Sequence, residues 1–211
     1  MLARRGVRVH VLTATRGQAG SCGEPPLCSP DELPAVRERE LRCACAALGI
    51  EPPRLLDYPD GCLSEIDPET IVAEILTMVD EVHPQVMLAF GPDGISGHPD
   101  HIAIGQCAAE AFRRAEDVNA LYILAVPLSL AEKLGMTQIR AVPDEVITLA
   151  VDISETWAAK LAAIHCHATQ LSSSPITRAS LERQRSFLGR EYFVRAAARG
   201  RDDVLSELEA K

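Results

Sequence analysis

Apolar and polar positions alternate through Val7-Arg-Val-His-Val-Leu-Thr13, and the apolar positions are mostly β-branched, so the segment predicts a strand. Leu55-Leu-Asp-Tyr58 predicts a second, short strand that runs into the turn Pro59-Asp60-Gly61. Gln85 to Phe90 is almost continuously apolar, the pattern of a strand covered on both faces. Ala120–Val126 and Glu145–Val151 give two more. Between these runs the period becomes helical. One helix is predicted over Pro34–Leu48, with Gly49 as its C-cap. A second begins at Asp67-Pro68, with an N-cap aspartate and proline in the first turn, and continues to Val82. Others are predicted over Asp100–Arg114, over Ser154–His167, and over Leu181–Arg199 around Gly189. The charged tail from Gly200 is expected to fray.

Strands that alternate with helices imply an α/β fold with a parallel sheet. The chain shows no internal repeat and no linker, so one domain is expected over 1–211. Ligands of such sheets collect at the carboxyl ends of the strands. Three loops in that position carry the polar residues: Thr13–Gly20, Asp57–Gly61 and Gly91–His101. Their coincidence points to a site.

Composition narrows the function classes. At 47% hydrophobic and 24% charged residues the chain is a globular one with a real core. Its formal charge of -9 argues against nucleic acid and against anionic lipid as partners, because both need a basic surface. No apolar run approaches a membrane span, and no signal-peptide pattern opens the chain. There are 7 cysteines and no C-x-x-C pair, which reads as reduced thiols and a cytoplasmic location.

Gly97-His98-Pro99-Asp100-His101 carries the densest chemistry. Two imidazoles and a carboxylate fall between a buried strand and a helix start. Such a set suits a metal ligand together with an acid/base group, since a carboxylate orients an adjacent histidine. The plainer alternative is that His98 and Asp100 cap the helix. A catalytic zinc takes three protein ligands, so further ligands have to come from elsewhere. His10, His83 and His165 read as structural or surface residues. No G-x-G-x-x-G follows a strand, which disfavours a dinucleotide-binding module.

The ordered set of segments resembles the LmbE/PIG-L family of zinc-dependent de-N-acetylases. It comprises Val9-His-Val-Leu-Thr-Ala-Thr-Arg-Gly-Gln-Ala-Gly20, Arg37-Glu-Arg-Glu40-Leu41, Tyr58-Pro-Asp60-Gly61, Gly91 to His101, Lys160 to Gln170 with His167, and Glu191-Tyr-Phe193. The resemblance implies a Rossmann-like, mostly parallel sheet flanked by helices. It implies hydrolysis of an N-acetyl group from an amino sugar or its conjugate. It implies His101 as a zinc ligand, His98 at the oxyanion or leaving amine, and Asp100 tuning His98. Asp60, Arg37, Arg16, His167 and Gln170 become candidate substrate contacts; Glu191 either holds a site residue or is exposed.

The family's early Ala-His-Pro-Asp-Asp motif, which supplies two zinc ligands and the base, does not precede Val7. The expectation is therefore an N-terminally incomplete domain that lacks the family's first strand, normally flanked by the strands at Val7 and Gln85. Zinc binding is expected to be weak and amidase activity low. A non-enzymatic sugar-conjugate binding protein is the alternative, and a homo-oligomer is compatible with either.

Overall fold

A computed structural model describes residues 1–172, 174, 176–200 and 203–209, and the chain divides into two compact units. The first comprises Met1–Gly61 with Ile153–Arg190, the second Cys62–Asp152 with Glu191–Lys211.

In the first unit, β1 (Leu12–Thr15) pairs in parallel with β2 (Arg54–Tyr58), placing Leu12 opposite Arg54 and Thr15 opposite Tyr58. Strand geometry starts later than the alternation from Val7 predicts. Pairing nevertheless begins there, because Val9 O and Val11 O accept from Glu51 N and Arg54 N at 3.0 and 2.9 Å. Helix α1 (Leu33–Leu48) ends on Gly49 in the left-handed region, as its sequence predicts. It packs against α5 (Trp157–Cys166). The helix predicted to reach His167 stops at Cys166, and the short α6 (Ala168–Leu171) follows. Cys43 on α1 and Cys166 on α5 form a disulfide, with Cα atoms 5.7 Å apart. This overturns the all-reduced reading and the argument for a cytoplasmic location that rested on it. Spacing along the chain could not show a pair 123 residues apart. Helix α7 (Leu181–Leu188) closes the unit.

The second unit contains α2 (Pro68–Val82), β3 (Val86–Ala89), α3 (Pro99–Arg114), β4 (Ala120–Ala125), α4 (Leu128–Leu134) and β5 (Leu149–Asp152). The chain returns to it through β6 (Arg190–Ala198) and ends in α8 (Ser206–Glu209). Asp67 caps α2 by accepting from Glu69 N at 3.1 Å. The sheet order is β3-β4-β6-β5, with β3 parallel to β4 and β4 antiparallel to β6. The sheet is therefore mixed and not purely parallel. Residues 190–198 form a strand where a helix is predicted; Tyr192, Phe193 and Val194 are strand formers, and the β4 edge offers them a ladder. The core gathers around Phe112, Val118 and Leu121, with Met87, Ala89 and Ala197 against them.

The expectation of a frayed tail fails over 203–209. Asp203 is 4% exposed and accepts from Tyr122 Oη, Arg195 Nη2, Leu205 N and Ser206 N. A buried carboxylate with that many donors is a fixed point, not a loose end. Arg201, Asp202, Ala210 and Lys211 lie outside the described residues. Among the described residues no helix is long and apolar enough to cross a membrane.

Candidate active site

Strand β3 delivers the chain through Phe90 and Gly91 into a tightly wound loop. Gly94, Ile95 and Gly97 all have positive φ, at 61°, 62° and 77°. For Ile95 that conformation is strained, since its branched Cβ crowds the following carbonyl. Asp93 holds the turn: its Oδ1 accepts from Ile95 N at 3.0 Å and its carbonyl from Gly97 N at 3.0 Å.

His98 is the N-cap of α3, and its Nδ1 accepts from Asp100 N at 3.2 Å. The capping alternative is thus part of the structure. It is also chemically useful. A backbone N–H can only donate, so neutral His98 carries its proton on Nε2. His101, one helical turn on, stacks on Phe90 with centroids 4.1 Å apart and planes 5° from parallel. Its Nδ1 lies 3.2 Å from Gly94 O. A carbonyl can only accept, so His101 has its proton on Nδ1 and a lone pair on Nε2. The two rings sit 5.0 Å apart, tilted by 38°. One therefore presents a donor and the other an acceptor. Asp100 is 5% exposed, and its Oδ1 accepts from Leu63 N at 3.0 Å.

The remaining predicted residues lie in the first unit. Asp60 closes the loop after β1, accepting from Thr15 Oγ1 and Ala19 N, both at 3.0 Å. Arg16 pairs with Asp57 and Glu38. Hydrogen bonds to Asp57 and then Glu38 push its pKa up, so the cation is permanent. Arg42 and then Arg16 hold the Glu38 carboxyl below its ordinary range. Arg37 lies flat against the Gly17 and Gly20 backbone and donates to Ser21 O at 3.3 Å. His167 is partly buried, and Gln170 Nε2 approaches its Nδ1 at 3.4 Å. Burial, and secondarily Arg37, pull the His167 pKa down against the opposing pull of Glu40. Arg37 and His167 are thus electrostatic neighbours, while Arg16 and Asp60 organise the 13–20 loop.

Two features escaped the sequence reading. Glu40 appears there only within a motif, yet it is 7% exposed and accepts from both Thr169 N and Thr169 Oγ1, at 2.7 and 2.8 Å. Phe90 reads as the end of a strand, and nothing in its pattern signals that the His101 ring stacks on it.

The donor set does not fit a zinc ion. Among the described residues no three His, Cys, Asp or Glu side chains converge as a metal would require. His101 Nε2 is one oriented nitrogen.

The sequence pattern described as PIG-L, GlcNAc-PI de-N-acetylase, matches residues 1–112. A curated relative from Acidothermus cellulolyticus, a 1D-myo-inositol 2-acetamido-2-deoxy-alpha-D-glucopyranoside deacetylase, is 31% identical over 234 residues, spanning 91% of this chain and 80% of that protein. This chain belongs to the PIG-L family. Among solved structures, the PIG-L chain is similar to the N,N'-diacetylchitobiose deacetylase of Pyrococcus horikoshii, with a TM-score of 0.63 and 20% identity over 92% of this chain and 73% of that one. It is also similar to GalB, the 4-carboxy-2-hydroxymuconate hydratase of Pseudomonas putida KT2440, with a TM-score of 0.66 and 17% identity over 96% and 89%. At those identities the likeness shows the fold alone. One PIG-L-like fold carries a deacetylase in the first and a hydratase in the second, so function has to be argued from the site.

Proposed function

We propose that this PIG-L chain is an amidohydrolase that removes an N-acetyl group from an amino-sugar conjugate, with His98 and His101 as catalytic residues. The observation that carries the reading is the opposite proton placement on the two rings, set by Asp100 N on one and Gly94 O on the other. Hydrolysis of an acetamide needs a hydrogen-bond donor for the carbonyl oxygen as it becomes an oxyanion, and a base that takes a proton from the attacking water and returns it to the departing nitrogen. His98 Nε2–H is that hydrogen-bond donor, and His101 Nε2 takes the water's proton and, as imidazolium, passes it to the nitrogen as the C–N bond breaks. Asp100 keeps the first turn of α3 in place through Leu63 N, which holds both rings in register. Taken by itself, the first unit offers Arg37, His167 and Gln170, with Arg16 and Asp60 ordering the 13–20 loop, as polar side chains of the kind that contact sugar hydroxyls. Zinc is no part of this reading: the lone pair on His101 Nε2 takes the proton of the attacking water, and among the described residues no set of three metal-ligating side chains converges.

The test is release of acetate from an N-acetylglucosaminyl inositol, followed with the intact chain and with His98→Gln. A loss of about 10²- to 10⁴-fold in kcat is expected for the variant. Saturable binding of the conjugate with no acetate above background, in protein supplied with zinc, would favour the binding-protein alternative instead. Equal activity in wild type and His98→Gln would refute the assignment of His98.

A further inference from the structure

After α4 the chain turns back to the catalytic loop. Arg140 N donates to the carbonyl of the strained Ile95 at 2.8 Å. Two residues on, Val142 N donates to Val126 O at 3.0 Å, and Val142 O accepts from Leu128 N at 2.8 Å. The backbone at Arg140 is therefore fixed on both sides. Its side chain lies over Gly97, the residue before His98. A Cβ at Gly97 would fall 2.6 Å from Arg140 Nη2, 2.8 Å from Nε and 2.9 Å from Cζ. The positive φ favours glycine at 97, and the Arg140 guanidinium lies in the space a side chain there would take.

Arg140 differs from Arg16, Arg113 and Arg114, which are neutralised by carboxylates. Arg140 is exposed and, among the described residues, forms no ion pair. On a chain of net charge -9, a cation without a carboxylate partner placed over Gly97, next to a candidate catalytic histidine in sequence, creates a local attraction for anions against a repelling background. Guanidinium presents its N–H groups as a planar fork that matches paired anionic oxygens.

We propose that Arg140 is a specificity-determining residue that selects amino-sugar conjugates carrying an anionic oxygen pair, a carboxylate or a phosphate, near the acetamide. The proposal rests on the amidohydrolase reading for its substrate class, but anion recognition by Arg140 stands on the geometry alone.

The experiment has a catalytic arm and a binding arm. In the first, kcat/KM is compared for three N-acetylglucosaminides: one with a carboxymethyl aglycone, one with a phosphate-bearing aglycone, and the neutral methyl glycoside. The wild type is expected to prefer a charged substrate. Arg140→Gln should lower the charged-to-neutral ratio about tenfold through KM, as loss of a charge-assisted hydrogen bond would. Arg140→Lys should recover part of it, and Arg113→Gln, on the far-exposed surface of α3, should leave the ratio alone. In the second arm, succinate and inorganic phosphate are titrated while the His98 imidazole resonances are followed. Saturable shifts in the wild type that vanish in Arg140→Gln support the proposal even if no substrate is hydrolysed, so its success is separable from that of the amidohydrolase reading. Saturation by only one of the two anions identifies which oxyanion is recognised. Two results would overturn the proposal. One is an unchanged ratio with unchanged anion shifts in Arg140→Gln. The other is equal loss on all three substrates with a lowered melting temperature, which would make Arg140 only a cover for the loop.

Discussion

His98 and His101 carry the same ring, and each has its tautomer set by a single backbone neighbour. The sequence places both at a helix start, but the tautomers depend on which backbone group each Nδ1 meets, and that is a property of the folded loop. Glu40 shows the opposite case, in which a residue taken as part of a helix motif turns out to be buried. It ties α1 to Thr169, two residues beyond His167, through both carboxylate oxygens. Glu40→Ala would leave a fully buried N–H and hydroxyl without an acceptor, at about 1–3 kcal/mol each. For a chain of this size each kcal/mol moves the melting temperature by roughly 2–4 °C. A drop of several degrees is therefore expected in a thermal melt, with Glu40→Gln showing a smaller one. A Glu40→Ala protein that melts with the wild type would show the clamp to be dispensable. His167 allows a second check at this scale. Its folded pKa is depressed mainly by burial, so its contribution to stability is present above the ordinary histidine value and is lost as pH falls through the folded pKa. An NMR titration should place its midpoint below 6.5, the ordinary value.

Elements were legible wherever the chain advertises its own ends. Asp67-Pro68 and Gly49 give α2 its start and α1 its stop, and both boundaries hold. The 190–198 strand was not legible, because Gly189 and the charged run before it continue a helical period, and only pairing with β4 decides the outcome. The placement of α3 could be read from His98-Pro99, but not its closeness to β3. That closeness is set at Gly105, where a Cβ would fall 2.6 Å from Phe90 O. Gly105→Ala is therefore expected to push α3 away from Phe90, the ring on which His101 stacks. Such overpacking costs about 1–3 kcal/mol, and activity should fall along with stability. The Cys43–Cys166 bond was equally invisible, since it depends on α1 lying against α5. Alkylation of the unfolded, unreduced protein should label Cys22, Cys28, Cys45, Cys62 and Cys107, with Cys43 and Cys166 added only after reduction. The closed loop is long, so reduction should lower stability by up to about 4–5 kcal/mol on the chain-entropy account. Labelling of all seven before reduction would disprove the bond.

At the scale of the whole molecule, the two small sheets leave strands with an unpaired side. β3 ends the four-stranded sheet, and among the described residues only β4 pairs with it. An exposed strand edge is a template for another chain unless a charge, a proline or a bulge blunts it. β3 carries none of these over Val86-Met-Leu-Ala89, and Leu88 is 50% exposed in its middle. Opposing this, each molecule has a net charge of -9, so copies repel at low ionic strength. Salt screens that repulsion within about 8 Å at physiological strength, while apolar contact and backbone pairing persist. Two opposed terms thus predict a definite dependence. The protein should be monomeric when dilute in low salt and should associate as salt and concentration rise. Leu88→Lys places a charge in the middle of the edge without touching the core residues Met87 and Ala89, which face Phe112, Val118 and Leu121. Its dilute melting temperature should match the wild type, and its association at high salt should be suppressed. Light scattering across a salt series checks both. Association that weakens with added salt, or that survives unchanged in Leu88→Lys, would show that charge pairing or a different surface brings the copies together.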